Sequence, residues 1–142
     1  MRNIKIIAFL ILVSLGINSC TSSQSSPNGK EITQIGQIAK DVTVSEFNDF
    51  IKKGEGQLID VRTPNEFESG NIASSANIDF YSAGFQDQLT KLDKNKPVYL
   101  YCRSGRRSGI AMNLMKDMGF MAVYNLDGGI IAWQEQGLPI AQ

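Results

Sequence analysis

Five consecutive uncharged residues, Val98-Tyr99-Leu100-Tyr101-Cys102, stand between Pro97 and the basic stretch Arg103-Ser104-Gly105-Arg106-Arg107. The run is apolar on both faces. A strand with one wetted face alternates polar and apolar residues, so this one fits the buried centre of a parallel sheet. After the predicted loop 103–107, Ile110, Ala111, Leu114, Met115 and Met118 recur at helical spacing, and Gly119 closes the run. A buried strand that feeds a helix through a short loop is the repeating unit of an α/β fold.

Other segments follow the same alternation. Thr43 and Glu46 form a capping box ahead of a helix that places Phe47, Phe50 and Ile51 on one face, with Gly54 as its stop. Gln57–Val61 reads as a short strand. Thr63-Pro64-Asn65-Glu66 is a second capping box, with Pro64 at the first helical position, and Gly70 keeps that helix brief. Ala76–Ile78 fits another strand, and Phe85, Leu89 and Leu92 a helix between Gly84 and Asp93. Ala122–Leu126 is a further strand, and Gly128-Gly129 opens a short helix holding Trp133. The pattern predicts one domain with a central, mostly parallel sheet and helices on both faces.

The first residues have a different layout. Arg2 and Lys5 precede the apolar run Ile6–Val13, too short to span a bilayer and arranged as in a signal peptide. It ends in Ile17-Asn18-Ser19-Cys20, which resembles a bacterial lipoprotein box with Cys20 as the lipidated residue; a plain signal peptide with an incidental cysteine is the alternative. Residues 1–19 are thus expected to be removed and residues 20–30, Ser-rich and without core formers, to act as a tether with a reach of about 15–20 Å. The expected domain spans 31–142. Its location would be the bacterial cell envelope, lipid-anchored and facing the periplasm. Removal of Arg2 and Lys5 leaves 12 basic against 14 acidic side chains.

Composition closes off several chemistries. With 14 Lys+Arg against 14 Asp+Glu, the chain is no basic nucleic-acid module. It contains no His, which excludes Cys-His dyads and His-ligated zinc, and two cysteines alone cannot hold that metal. No cofactor is implied. With Cys20 acylated, Cys102 is the only remaining thiol, and a lone thiol outside the cytoplasm needs a reason.

The loop supplies one. It stands at the carboxyl end of a strand, where parallel sheets bind ligands. None of its residues is proline, so each can turn an N–H inward, and Gly105 permits the backbone angles of a cradle. Such a nest at a helix N-terminus binds anions and favours thiolate at Cys102, with Arg103, Arg106 and Arg107 adding positive charge. The competing reading is a buried structural cysteine with its arginines in solvent.

Cys102-Arg103-Ser104-Gly105-Arg106-Arg107 resembles the active-site loop of the rhodanese family, Cys-Arg-x-Gly-x-Arg. Leu58-Ile59-Asp60-Val61-Arg62-Thr63-Pro64 with Glu66-Phe67, Gly70-Asn71-Ile72 with Ala76-Asn77-Ile78, and Gly128-Gly129-Ile130 with Trp133 resemble three further blocks of that family, in order. Asn71, Ala73 and Ser74 depart from it, standing where His, Pro and Gly are frequent. The resemblance implies a five-stranded rhodanese-like domain and sulfur transfer: Cys102 takes a sulfane sulfur from a small anionic donor such as thiosulfate and passes it to a thiol, cyanide or protein acceptor.

In that reading the amides of residues 103–107 hold the terminal sulfur. Arg103 and Arg107 attract the donor, Arg106 at the variable position contributes to recognition, and Ser104 and Gly105 act through backbone. Asp60 is expected to pair with Arg107, to orient Arg62, or to cap a helix; Arg62 is a candidate scaffold residue. A sulfur carrier with little turnover is one alternative. A cysteine phosphatase is another, although its Cys-x5-Arg loop is one residue longer and Tyr101 replaces its usual His. Met112, Met115 and Met118 invite a copper reading, but core packing explains their helical spacing.

Overall fold

The computed structural model describes residues 36–142. The signal peptide, Cys20 and the tether through residue 30 lie outside them. Five strands, β1 (Ile38–Val42), β2 (Gln57–Asp60), β3 (Ala76–Asn77), β4 (Val98–Tyr101) and β5 (Ala122–Leu126), form one sheet in the order β1-β5-β4-β2-β3, with every pairing parallel. Five helices connect or follow them: α1 (Val44–Lys52), α2 (Pro64–Glu68), α3 (Phe85–Leu89), α4 (Arg106–Asp117) and α5 (Gly129–Glu135).

β4 is the central strand, and all four of its residues are buried. Its side chains alternate between two cores, as a period of two requires. Val98 and Leu100 pack with Phe85, Leu89, Ala111, Met112 and Met115 from α3 and α4. Tyr99 and Tyr101 pack on the other face with Phe47 of α1 and Ile130 and Trp133 of α5. Helices therefore cover both faces. Phe47, Leu100 and Met115 are each fully buried, so truncating any of them to Ala costs about 2–5 kcal/mol. Met112, Met115 and Met118 all pack on the first core, as their spacing predicts.

Both capping boxes are formed. The Thr43 and Thr63 hydroxyls accept from the amides of Glu46 and Glu66, whose carboxylates accept the threonine amides in return. Two boundaries differ from expectation in ways that matter. β1, the fifth strand, had no sequence signal of its own. α4 begins at Arg106, inside the stretch expected to be loop, so Arg106 and Arg107 are its first two residues.

Candidate active site

Cys102 follows the last residue of β4 and shares the Val98/Leu100 side of the sheet. Between it and α4 the chain must turn within three residues. Gly105 makes the turn with φ +86°, a left-handed conformation that glycine adopts without strain. Three carbonyls of this stretch are engaged by other elements. Those of Cys102 and Arg103 accept the first amides of α5, from Ile130 at 2.9 Å and Ile131 at 3.2 Å. That of Gly105 accepts three donors: the Gly109 amide at 2.9 Å, Asn125 Nδ2 at 3.1 Å and the Ser108 hydroxyl at 3.2 Å. With these carbonyls engaged elsewhere, the amides of Ser104, Arg107 and Ser108 are left to lower the pKa of Cys102.

The close approach of α5 explains Gly129. A Cβ there would lie 2.5 Å from the Cys102 carbonyl oxygen and 2.6 Å from that of Arg103. Only a residue without a side chain lets the α5 amides reach the loop.

Cys102 is 1% exposed. Burial pushes its thiol pKa up. Hydrogen bonds from the Ser108 hydroxyl and from the amides of Ser108, Ser104 and Arg107 outweigh that penalty, and the pKa falls below the ordinary thiol value. The position of these amides at the start of α4 adds the favourable end of the helix dipole. Burial and activation thus coexist: the sulfur is screened from solvent yet enclosed by donors. The amide set also differs in part from expectation, since Ser108 lies one residue beyond the predicted 103–107.

The three arginines divide into two roles. Arg107 donates from Nη1 to Glu66 Oε2 and from Nη2 to Glu66 Oε1, both at 2.7 Å. The pair raises the Arg107 pKa and holds the Glu66 carboxyl down to about 2. Arg103 and Arg106 are exposed and have no ion-pair partner among the described residues. A cleft of about 430 Å3 opens at the loop, with Glu66, Tyr81, Arg103, Ser104 and Arg106 in its walls. A larger apolar groove of about 550 Å3, between Ile51, Leu58, Tyr99 and Trp133, touches none of the predicted site residues.

Asp60 does not meet Arg107. Its carboxylate accepts from the Arg62 amide at 2.8 Å and from Arg62 Nε and Nη2 at 2.8 and 2.6 Å, and Arg62 Nη2 also donates to the Gly70 carbonyl at 2.7 Å. Both residues are buried. Of the three options for Asp60, the structure has it orienting Arg62. Capping of α2 falls to Thr63, because a chain leaving a strand end puts the residue beside proline, not Asp60, at the helix start. The buried pair ties the end of β2 to the turn at Gly70.

Three contributors escaped the sequence reading. Glu66 was visible as a capping residue but not as the partner of Arg107, which is 41 positions away. Ser108 carried no signal beyond its place after the loop. Asn125 had one, a polar residue within the apolar run Ala122–Leu126. It is 4% exposed and donates to Asp41 Oδ1 as well as to the Gly105 carbonyl.

The model of the rhodanese-like domain matches residues 43–136, a span that includes this loop. The chain belongs to the rhodanese-like domain family. Among its relatives, a sulfurtransferase of Allochromatium vinosum is 39% identical over 83 residues, 58% of this chain and 76% of its own. The thiosulfate sulfurtransferase GlpE of Pseudomonas syringae is 36% identical over 77 residues, 54% of this chain and 71% of its own. Among solved structures, a rhodanese-related protein from Thermoplasma volcanium superposes with a TM-score of 0.64 at 28% identity, covering 72% of this chain and 97% of that one. The two relatives named here are sulfurtransferases by name, which supports a sulfurtransferase family. Arg107 is the fifth residue after Cys102, and both its terminal nitrogens are occupied by Glu66.

Proposed function

We propose that this rhodanese-like domain is a sulfurtransferase that carries sulfane sulfur on Cys102, with thiosulfate or a similar anion as donor. The observation that carries the reading is the placement of a buried Cys102 at the end of β4, where a three-residue turn through Gly105 leads into α4, so that the loop and the first turn of α4 stand over a thiol that burial alone would keep neutral. Arg103 and Arg106, without an ion-pair partner among the described residues, draw the donor to the cleft. The Cys102 thiolate attacks the outer sulfur of thiosulfate. A new S–S bond forms, the donor's S–S bond breaks, and its electron pair leaves with sulfite. The charge then rests on the outer sulfur of the persulfide, where the loop amides stabilise it. A thiol, cyanide or protein acceptor attacks that sulfur and returns Cys102 to thiolate. No metal or organic cofactor enters this scheme.

The tethered placement belongs to the same proposal. Arg2, Lys5, the apolar run Ile6–Val13 and the box ending at Cys20 support a lipid anchor at the bacterial cell envelope, with the domain facing the periplasm. Palmitate labelling that is lost in Cys20→Ala tests it.

Intact-mass spectrometry before and after thiosulfate tests the chemistry. One added sulfur is expected on Cys102, removable by cyanide and absent in Cys102→Ser. An unmodified protein after exposure to thiosulfate and to polysulfide would overturn the reading. The 1% exposure of Cys102 favours one variant of it, a carrier that loads and holds sulfur with slow turnover. Stable loading without saturable thiosulfate turnover marks that variant.

A further inference from the structure

The described residues leave four large apolar side chains exposed: Ile38, Tyr81, Ile110 and Ile131. Two of them, Tyr81 at 68% and Ile110 at 50%, stand together at the cleft that also holds Arg103 and Arg106. Exposed large apolar residues gathered at one place mark a recognition surface, whereas scattered ones do not. Neither side chain is idle filler for the fold. Ile110 is in the first turns of α4 but points out of the core that Ala111 and Met115 enter. Tyr81 follows Phe80, whose ring packs edge-on against Phe85, and it lies over the Arg107 guanidinium at 5.6 Å.

A small inorganic donor needs none of this. Thiosulfate and cyanide offer no apolar surface to Tyr81 or Ile110, and a cleft of about 430 Å3 falls within the size range of sites for much larger ligands. Aromatic and aliphatic side chains beside unpaired guanidiniums are the composition of protein-recognition surfaces, where tyrosine and arginine carry most of the binding energy. Charge decides the character of the partner. Among the described residues Arg103 and Arg106 have no carboxylate partner, while Glu66 is already neutralised by Arg107. The cleft therefore presents net positive charge to whatever brings the acceptor sulfur.

We infer that the sulfur acceptor is a cysteine on an exposed protein segment that carries an acidic residue and a large apolar residue beside it, docked on Arg103 and Arg106 and between Tyr81 and Ile110. This rests on the persulfide reading above. The acceptor thiol loses its proton to solvent and its thiolate attacks the outer sulfur of the Cys102 persulfide. The acceptor's new S–S bond forms, the bond to Cys102 breaks, and its electron pair returns to Cys102. The acceptor leaves as a persulfide, and no external oxidant or reductant is consumed.

The test starts from protein loaded with sulfur and verified by mass, so failure to load is a failure of the persulfide reading alone. Loaded protein is then offered cyanide, glutathione and two synthetic peptides, one with Cys between Glu and Leu, the other with Cys between Lys and Ser. The expected result is transfer to the acidic-apolar peptide at least tenfold faster than to the other peptide or to glutathione. Ile110→Ser should remove most of that preference and leave transfer to cyanide unchanged. Equal rates to both peptides, or a preference that survives Ile110→Ser and Tyr81→Ser alike, would overturn the inference. Faster transfer to glutathione would overturn it in favour of a small thiol.

Discussion

Arg107 and Glu66 join the start of α4, which follows the Cys102 loop, to the capping box of α2 through two hydrogen bonds, each 2.7 Å long. The Glu66 carboxylate thus serves two elements at once. It accepts the Thr63 amide and hydroxyl, closing the start of α2, and it fixes the guanidinium at the second residue of α4. Arg107 resembles a substrate-attracting arginine in sequence, but its charge is spent on positioning.

Replacing Glu66 with Gln isolates the ion pair, because glutamine can still complete a capping box. The side chains are 15% and 31% exposed, so solvent screens the pair and the expected loss is about 1 kcal/mol in urea unfolding at pH 7. The pH dependence has a definite sign. The Glu66 pKa is lowered from 4.5 to about 2, first by the Arg107 hydrogen bonds. Its contribution is therefore complete above pH 4.5 and is lost as the pH falls toward 2. The native protein should lose stability over that window more steeply than Glu66→Gln. Parallel curves for the two proteins would refute the assignment.

Ser108 has one proton and two acceptors. In the structure its hydroxyl lies 3.2 Å from the Gly105 carbonyl, which already receives the Gly109 amide and Asn125. A carbonyl oxygen has two lone pairs, so this proton can turn to an ionised Cys102 without leaving Gly105 unsatisfied. Ser108→Ala should shift the pH profile of Cys102 alkylation by iodoacetamide upward. Ser108→Thr should keep the profile near its original position. A profile unmoved in Ser108→Ala would assign the thiol's acidity to the backbone alone.

Gly129→Ala should be among the most damaging single substitutions. The new methyl would meet two loop carbonyls at 2.5 and 2.6 Å, and at φ +60° an L-residue is strained regardless of space. A loss of about 3 kcal/mol is expected from strain and overpacking together, read by denaturant unfolding. The surviving folded fraction should also load sulfur more slowly, since α5 can no longer engage those carbonyls. Unfolding at the native midpoint would contradict the packing argument.

What the sequence revealed and what it hid divide along physical lines. Local rules exposed both capping boxes, the doubly apolar β4 and the Gly105 turn, because each is decided within a few residues. β1 was invisible. As an edge strand bonded only to β5, Ile38–Val42 is mostly exposed and carries Lys40 and Asp41, so it lacks a strand's apolar pattern. The site divided likewise. Cys102 and its basic loop announced themselves in one segment, whereas Glu66, Asn125 and the carbonyl contacts of α5 reach the loop only through the fold. The loop-to-helix boundary was misplaced because Arg106 and Arg107 carry no core-facing periodicity, although they are where α4 starts.

Ser74 is the one described non-glycine residue with a positive φ, at +68°. It stands in the segment that departs from the family pattern, at the position where glycine is frequent. The turn is kept although the residue is not: the Ser75 amide still bonds the Ile72 carbonyl at 3.1 Å, and Ser75 and Ile72 both reach the buried Tyr101 hydroxyl. A left-handed conformation costs an L-residue about 1–2 kcal/mol, and glycine's larger unfolded-state entropy returns part of that. Ser74→Gly should therefore stabilise the domain by about 0.5–1 kcal/mol in denaturant unfolding. Sulfur loading should be unchanged, because Ser74 is far from the cleft in its contacts, lining the apolar groove instead. A destabilised Ser74→Gly would mean that the serine hydroxyl, not the backbone angle, governs this turn.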